Sequence, residues 1–214
     1  SVVFKARWQS EQPSTTEEAA LIIFAGLAAF NLFSEAVNRA PNLILAVPNY
    51  VKKVVFPLEI LPLVIVGSTL VNSLIMSGLV IVGNLVLAGH VSNTLLLMPL
   101  AYIPLVLLTL GLSWFLASLG VYVRDFGQGI SIIVQVLFFL SPIFYPIDSL
   151  PEGVRLIMAL NPMSFVLMAF RQTLIWGQVF DWGAFVFWTL FGLVLSVLGY
   201  AWFMQTKKGF ADVL

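Results

Sequence analysis

Residues 130–146, ISIIVQVLFFLSPIFYP, begin as an apolar membrane span and break before they finish crossing one. Pro142 and Pro146 flank an aromatic pair, Phe144 and Tyr145, and Asn161-Pro162 follows a little further on. Proline removes a backbone donor and clashes with the preceding turn, so a regular helix is not expected to run through both prolines. In hydrocarbon every freed backbone group still needs a partner, so such a break survives only inside protein or beside water. A span of this kind points to a passage for something polar.

The rest of the chain is equally apolar: of 214 residues, 60% are hydrophobic and 9% charged, and the mean hydropathy is +1.03. A soluble domain carries about 25% charged residues, and no single water-exposed globule hides this much apolar surface. The composition therefore reads as an integral membrane protein, all-α and polytopic. A net charge of zero with no basic patch gives no footprint for nucleic acid. The chain has no cysteine, which excludes disulfides and thiolate chemistry and leaves the redox compartment open. It opens at Ser1 without a methionine or a signal-peptide pattern, as a fragment or a processed product does.

A helical crossing takes about 20 mostly apolar residues. Residues 19–37, 60–89, 95–123, 130–146 and 184–204 supply five spans, and Ser1–Ala6 reads as the stump of an earlier one. With alternate crossings, Arg39, Lys52, Lys53, Arg124, Lys207 and Lys208 share one side. Lys5, Arg7, Arg155 and Arg171 fall on the other, together with Glu11, Glu17, Glu18, Asp148, Glu152 and Asp181. Basic residues collect on the cytoplasmic side, so the loop at 38–57 and the C-terminus are expected there. Trp176 and Trp182 bracket the start of the last span and Trp202 lies near its end, which suits an aromatic belt at each interface. No internal repeat or linker divides the chain, which reads as one transmembrane domain over 1–214.

The loop after the first span is too apolar for a plain connector. Leu43, Ile44 and Val47 follow i, i+1, i+4 spacing and predict a short amphipathic helix ending near Pro48, with Lys52 and Lys53 before Phe56-Pro57. Such a helix either lies on the membrane surface with snorkelling lysines or fits a groove on a partner. Arg124-Asp125, where the third and fourth spans meet, either anchors by charge or fixes a shared bend. Glu35 and Arg39 are four apart in the favourable order for a pair.

Residues 147–175 are amphipathic and interrupted. Asp148, Pro151 and Glu152 suit a helix start. Asn161-Pro162 then breaks that helix and opens another, since proline is tolerated in a first turn. Two short helices after a proline-broken span predict a re-entrant pair, because an ordinary external loop is more polar. Polar residues within spans are few (Asn31, Asn72, Asn84 and Gln135), and each is read as interhelical glue. No ionisable residue lies near a bilayer centre, which argues against a proton- or ion-coupled carrier. His90 is the single histidine and sits in a loop, so no His-based metal site is expected. No nucleophile with its base and no phosphate-cradling glycine loop is present, so any energy that transport here needs has to come from another chain.

Seven stretches in this order resemble the permease subunits of type-2 ABC exporters for polysaccharides and polyol phosphates. They are VKKVVFPLEILPL at 51–63, VYVRDF at 121–126, FFLSPIFYP at 138–146, LPEGVR at 150–155, NPMSF at 161–165, Arg171 and KKGFADVL at 207–214. The resemblance implies six spans after an N-terminal interface helix, with that helix and most of the first span missing here. It implies a homodimer in the bacterial cytoplasmic membrane working with two ATP-binding subunits, with ATP and magnesium held there and no cofactor on this chain. The loop at 41–56 becomes a coupling helix, with Asn42, Leu43, Ile44, Val47, Tyr50, Lys52 and Lys53 toward the ATPase. Arg124 and Asp125 become a cytoplasmic bend. Residues 147–175 become gate helices at the outer mouth of a path for a lipid-linked glycan. Phe138, Phe139, Ser141, Pro142, Phe144, Tyr145, Pro146, Asn161, Pro162 and Arg171 are the channel and gate residues. Two other classes stay open: a multispan glycan or lipid transferase, which needs acids or histidines clustered at one membrane face, and a passive channel.

Overall fold

Each of the five apolar segments is helical in the computed structural model, which describes residues 16–52, 56–89, 93–123, 125–147 and 151–213. In chain order the helices are α1 (Thr16–Arg39), α2 (Pro48–Lys52), α3 (Ile60–Ala88), α4 (Met98–Tyr122), α5 (Phe126–Leu140), α6 (Glu152–Ala159), α7 (Pro162–Arg171), α8 (Trp182–Thr206) and α9 (Phe210–Val213). Expectations placed on Ser1–Ala6, Lys53, His90, Arg124 and Asp148 lie outside the described residues.

Four stretches among the described residues, Glu17–Asn42, Ile60–Leu87, Asn93–Tyr122 and Trp182–Val213, are long and apolar enough to cross a membrane. Their outward faces are those of a membrane protein. Val64, Leu79 and Val86 on α3 are 61, 65 and 76% exposed, and Leu190, Val194 and Leu198 on α8 are similarly bare. A contiguous apolar surface of that size is not left open to water. The chain is a polytopic helical membrane protein.

The fifth segment is the short one. α5 has 15 residues, or about 22 Å at 1.5 Å per residue. It stops at Leu140 because Ser141, with ψ 140°, precedes Pro142, and a residue before proline is pushed out of the α region. The predicted break is therefore present and falls at the first of the two prolines.

α1 and α4 form the centre. α4 buries residues on every side, and α1 packs against α3, α5 and α7. α4 crosses α8 at small residues, where Gly111 faces the Leu195–Ser196 backbone and Gly199 faces Gly111 itself. A Cβ on Gly199 would overlap the Gly111 carbonyl, so both helices need glycine there.

Contacts at the two ends of the bundle agree with alternate crossings. At one end, the loop end, α9 meets α2 and the indole of Trp114 donates to the Glu59 carbonyl at 3.0 Å. At the opposite end, Asn84 Nδ2 donates to the Leu174 carbonyl at 3.0 Å and Thr94 Oγ1 to that of Thr173 at 3.2 Å. Between α5 and α8 the expected pair of short helices, α6 and α7, is present. Asn161 caps α7 by accepting from Met163 N at 3.0 Å with Pro162 in the first turn, and a π-helical turn, Gln172–Trp176, follows.

The loop after α1 departs from the expected register. A 3-10 turn, Ala40–Asn42, leads into turns over 43–46, and the helix begins at Pro48 instead of ending near it. Proline is pre-shaped for a first helical position, so it starts this helix where the spacing of Leu43, Ile44 and Val47 suggested an end.

Candidate functional site

Several polar side chains of the membrane-spanning region line two grooves on either side of α1. On α1, Asn31, Ser34 and Asn38 recur at three- and four-residue steps and share a face. On α5, Ser131, Gln135 and Phe138 do the same. These faces, with Phe30 and Val134, enclose a groove of about 250 Å³. A second groove of about 270 Å³ lies across the same ridge, between α1 and α3, lined by Asn31, Ser34, Glu35, Thr69 and Asn72 among others. Asn31 and Ser34 border both. Asn31 Nδ2 reaches Met76 Sδ at 3.5 Å, and Gln135 and Asn72 are exposed.

The reading of all four intramembrane amides as interhelical glue is thus corrected. Asn84 ties α3 to the π-turn and Asn31 touches α3, whereas Gln135 and Asn72 face open grooves. Hydropathy counts apolar residues along a helix but is blind to which side of it a lone amide occupies.

Aromatic rings close the far end of the α1–α5 groove. Phe138 is their hub, with centroids 5.2 Å from Phe30, 5.5 Å from Phe139 and 5.3 Å from Phe144, all edge-to-face. Phe139 and Phe144 are 64 and 42% exposed, leaving ring faces open at the mouth. Tyr145 turns back, its hydroxyl donating to the Phe139 carbonyl at 3.2 Å.

Beside this mouth the broken segment is held by buried polar contacts. Ser141, Pro142, Ile143 and Pro146 are buried, and Asn161 Nδ2 donates to Ser141 Oγ at 3.4 Å. Arg171, 2% exposed, donates from Nη2 to the Ile143 carbonyl at 2.8 Å and from Nε to the Ile22 carbonyl at 3.3 Å. One guanidinium therefore joins α7, the broken segment and α1. A Cβ at Gly26 would lie 3.1 Å from Nη2, so α1 is thinned where the guanidinium passes.

The loop end carries a second constellation, separated from the aromatic mouth by the length of α5. Ile44 and Phe210 are fully buried in one cluster with Leu58, Trp114, Val121 and Phe203. Ile44 is therefore an anchor and not a contact for a partner, because the loop folds back on α4 and α9. Leu43 and Val47 are half-buried, while Asn42, Pro48, Asn49 and Tyr50 are exposed, with Tyr50 stacked on Phe56 at 5.0 Å. Lys207 Nζ lies 2.7 Å from Glu59 Oε2. Burial alone raises the Glu59 carboxyl, but the hydrogen bond from Lys207, a backbone hydrogen bond and the lysine charge outweigh it and hold it below the usual carboxylate value. Glu35 and Arg39 form the expected pair at 3.0 Å. Asp125 is exposed at the start of α5 and makes no side-chain cap.

The family described as ABC-2 type transporter matches residues 1–175. This chain belongs to the ABC-2 type transporter family. It is also similar to two proteins named O-antigen export system permease protein RfbA from Klebsiella pneumoniae, each 25% identical over 214 residues, which is 99% of this chain and 80% of the relative. A protein of the same name from Myxococcus xanthus is 28% identical over 151 residues, 70% of this chain and 58% of its own length. The ABC-2 match ends within the π-turn, and α8 and α9, which complete the loop-end cluster, lie beyond it.

Among the residues singled out from this ABC-2 sequence, the fold brings Phe138, Phe139 and Phe144 together at the mouth. It brings Ser141, Asn161 and Arg171 together behind it. Phe30, Ser34, Asn38 and Ser131 complete the groove and were not singled out. For Ser34 and Asn38 the signal was present, since with Asn31 they are polar residues three and four apart near the end of the first span.

Proposed function

We propose that this chain is the transmembrane permease of an ATP-driven exporter that carries a lipid-linked polysaccharide across the bacterial cytoplasmic membrane. One observation carries the reading: the α1–α5 groove is lined by amides, hydroxyls and aromatic rings in a bundle whose outward faces are apolar. Uncharged amides and hydroxyls exchange hydrogen bonds with sugar hydroxyls, and ring faces stack on sugar faces without fixing one register, so successive units slide past. The names of the similar proteins, O-antigen export permeases, support a glycan cargo.

The groove is open on one side, and a second copy of the chain supplies the missing wall in this reading. The basic residues favour the loop end as cytoplasmic. Exposed Asn42, Pro48, Asn49 and Tyr50 then face two ATP-binding subunits, which hold ATP and magnesium and perform the hydrolysis. The hinge behind Phe144 opens and closes the outer mouth, with α6 and α7 as the gate.

The test is reconstitution of the full-length permease with its ATP-binding subunit in proteoliposomes loaded with lipid-linked glycan. Glycan crosses only while ATP is hydrolysed. Replacing Asn31 and Gln135 together by leucine lowers export about thirtyfold, the loss of two hydrogen bonds of about 1 kcal/mol each. Flux without the ATPase, or full export by the double variant at equal abundance, refutes the proposal.

A further inference from the structure

At the loop end, four elements that are distant in sequence are fastened at Glu59 and Phe210. Lys207, at the end of α8, pairs with Glu59 at the start of α3, and Trp114 of α4 donates to the Glu59 carbonyl at 3.0 Å. Both charged side chains are less than one-third exposed, at 28 and 23%, so the pair is only partly screened. Tyr122 Oη donates to the Thr206 carbonyl at 2.8 Å, and Ser118 and Thr206 share a hydrogen bond at 2.6 Å. The tail then turns so closely past α4 that a Cβ on Gly209 would lie 2.7 Å from Tyr122 Oη. That turn drops Phe210 against Phe203, with centroids 5.5 Å apart, in the cluster that buries Ile44 of the loop.

We infer that the tail Lys207–Val213 is a strut that makes the loop over 40–52, the start of α3 and the α4–α8 pair move as one body. Lys207 and Phe210 are its positioning residues. Without the tail, a displacement of the loop reaches α1 and α3 along the chain and α4 across space, where Pro41 lies against Gly120 and Ile44 packs with Trp114 and Val121. With it, the displacement also reaches α8 through Lys207 and Phe210, so that α4 and α8, interlocked at the Gly111–Gly199 crossing, are carried together. The docking surface is accordingly firm where a lone surface helix would yield. This inference rests on the proposed docking of an ATP-binding subunit at the loop.

The experiment reads glycan exported per ATP hydrolysed in the reconstituted full-length complex, together with the amount of ATPase co-purified. Lys207→Glu is expected to lower export per ATP about fivefold with ATPase capture unchanged, a coupling of the size double-mutant cycles return for residues in contact. Adding Glu59→Lys to it restores the pair in reverse and recovers most of that ratio, which general destabilisation cannot do. An unchanged ratio in Lys207→Glu, or no recovery in the double variant, overturns the strut. Loss of ATPase capture in Lys207→Glu alone also overturns it and makes Lys207 a docking contact. Failure of the unaltered permease to capture the ATPase instead overturns the docking reading beneath it.

Discussion

Replacing Arg171 by methionine tests whether one guanidinium holds the broken segment in place. The side chain is 2% exposed and serves carbonyls on two other elements, Ile143 at 2.8 Å and Ile22 at 3.3 Å. The two losses are unequal. Ile22 lies within α1, so its carbonyl keeps the bond that every interior helical carbonyl makes. Ile143 is fully buried outside any helix, and its carbonyl loses a charged donor. A buried acceptor left unmatched costs about 1–3 kcal/mol, and more when the lost donor is charged. Methionine retains much of the packing and removes the desolvation of a buried cation, which offsets part of the loss. The balance is about 2 kcal/mol, or about thirtyfold in the equilibrium for local opening. The Ile143 amide, bonded to the Ser141 carbonyl at 2.7 Å, reports that opening directly by hydrogen exchange. Arg171→Lys, with one compact donor group, is expected to fall between the two. A rise in exchange of less than about threefold, roughly 0.7 kcal/mol, in Arg171→Met refutes the reasoning.

Gly199→Val forces α8 away from the Gly111 carbonyl and is expected to lower stability in detergent by about 3 kcal/mol or more, read as the midpoint of thermal unfolding. Because the chain has no cysteine, single replacements report exposure against a silent background. Gln135→Cys and Ser131→Cys in the groove are expected to react with a water-soluble maleimide, while Ile132→Cys and Val136→Cys on the outward face stay unlabelled in a bilayer; equal labelling of all four removes the groove. Glu59 has a folded-state value below its ordinary one, so its contribution is fully present above the ordinary carboxylate range and is lost as pH falls through the folded value. Unfolding scans on the acid side of about pH 5 are expected to show that loss in the unaltered chain and less of it in Lys207→Ala. Gly120→Ala pushes a methyl into the Pro41 carbonyl and is expected to loosen the loop, seen as faster proteolysis near Pro48 with α4 still intact.

The membrane-spanning segments were legible because length and hydropathy are properties of a segment by itself. The break at Ser141-Pro142 and the cap at Asn161 were legible for a related reason: proline and a capping amide act on their immediate neighbours. Pro48 shows the limit of that logic. Proline ends one helix and starts another with the same ring, and only the packing of Ile44 beneath the loop decided which. Gln135 shows a second limit, since the side of α5 it occupies is settled by where α1 lies. The burial of Ile44 under Phe210 joins residues more than 160 positions apart, and no local pattern encodes that.

The shortness of α5 has a consequence for the surrounding lipid. At about 22 Å it falls some 8 Å below the roughly 30 Å of a bilayer's hydrocarbon core. The leaflet beside it thins, or the segment at 141–147 sinks to acyl-chain depth. Either way, Phe139 and Phe144 stand in a dimple of the membrane. On the proposed gating, the work of opening the mouth depends on acyl-chain length, and bilayer thickness is then a control that no residue of the groove supplies.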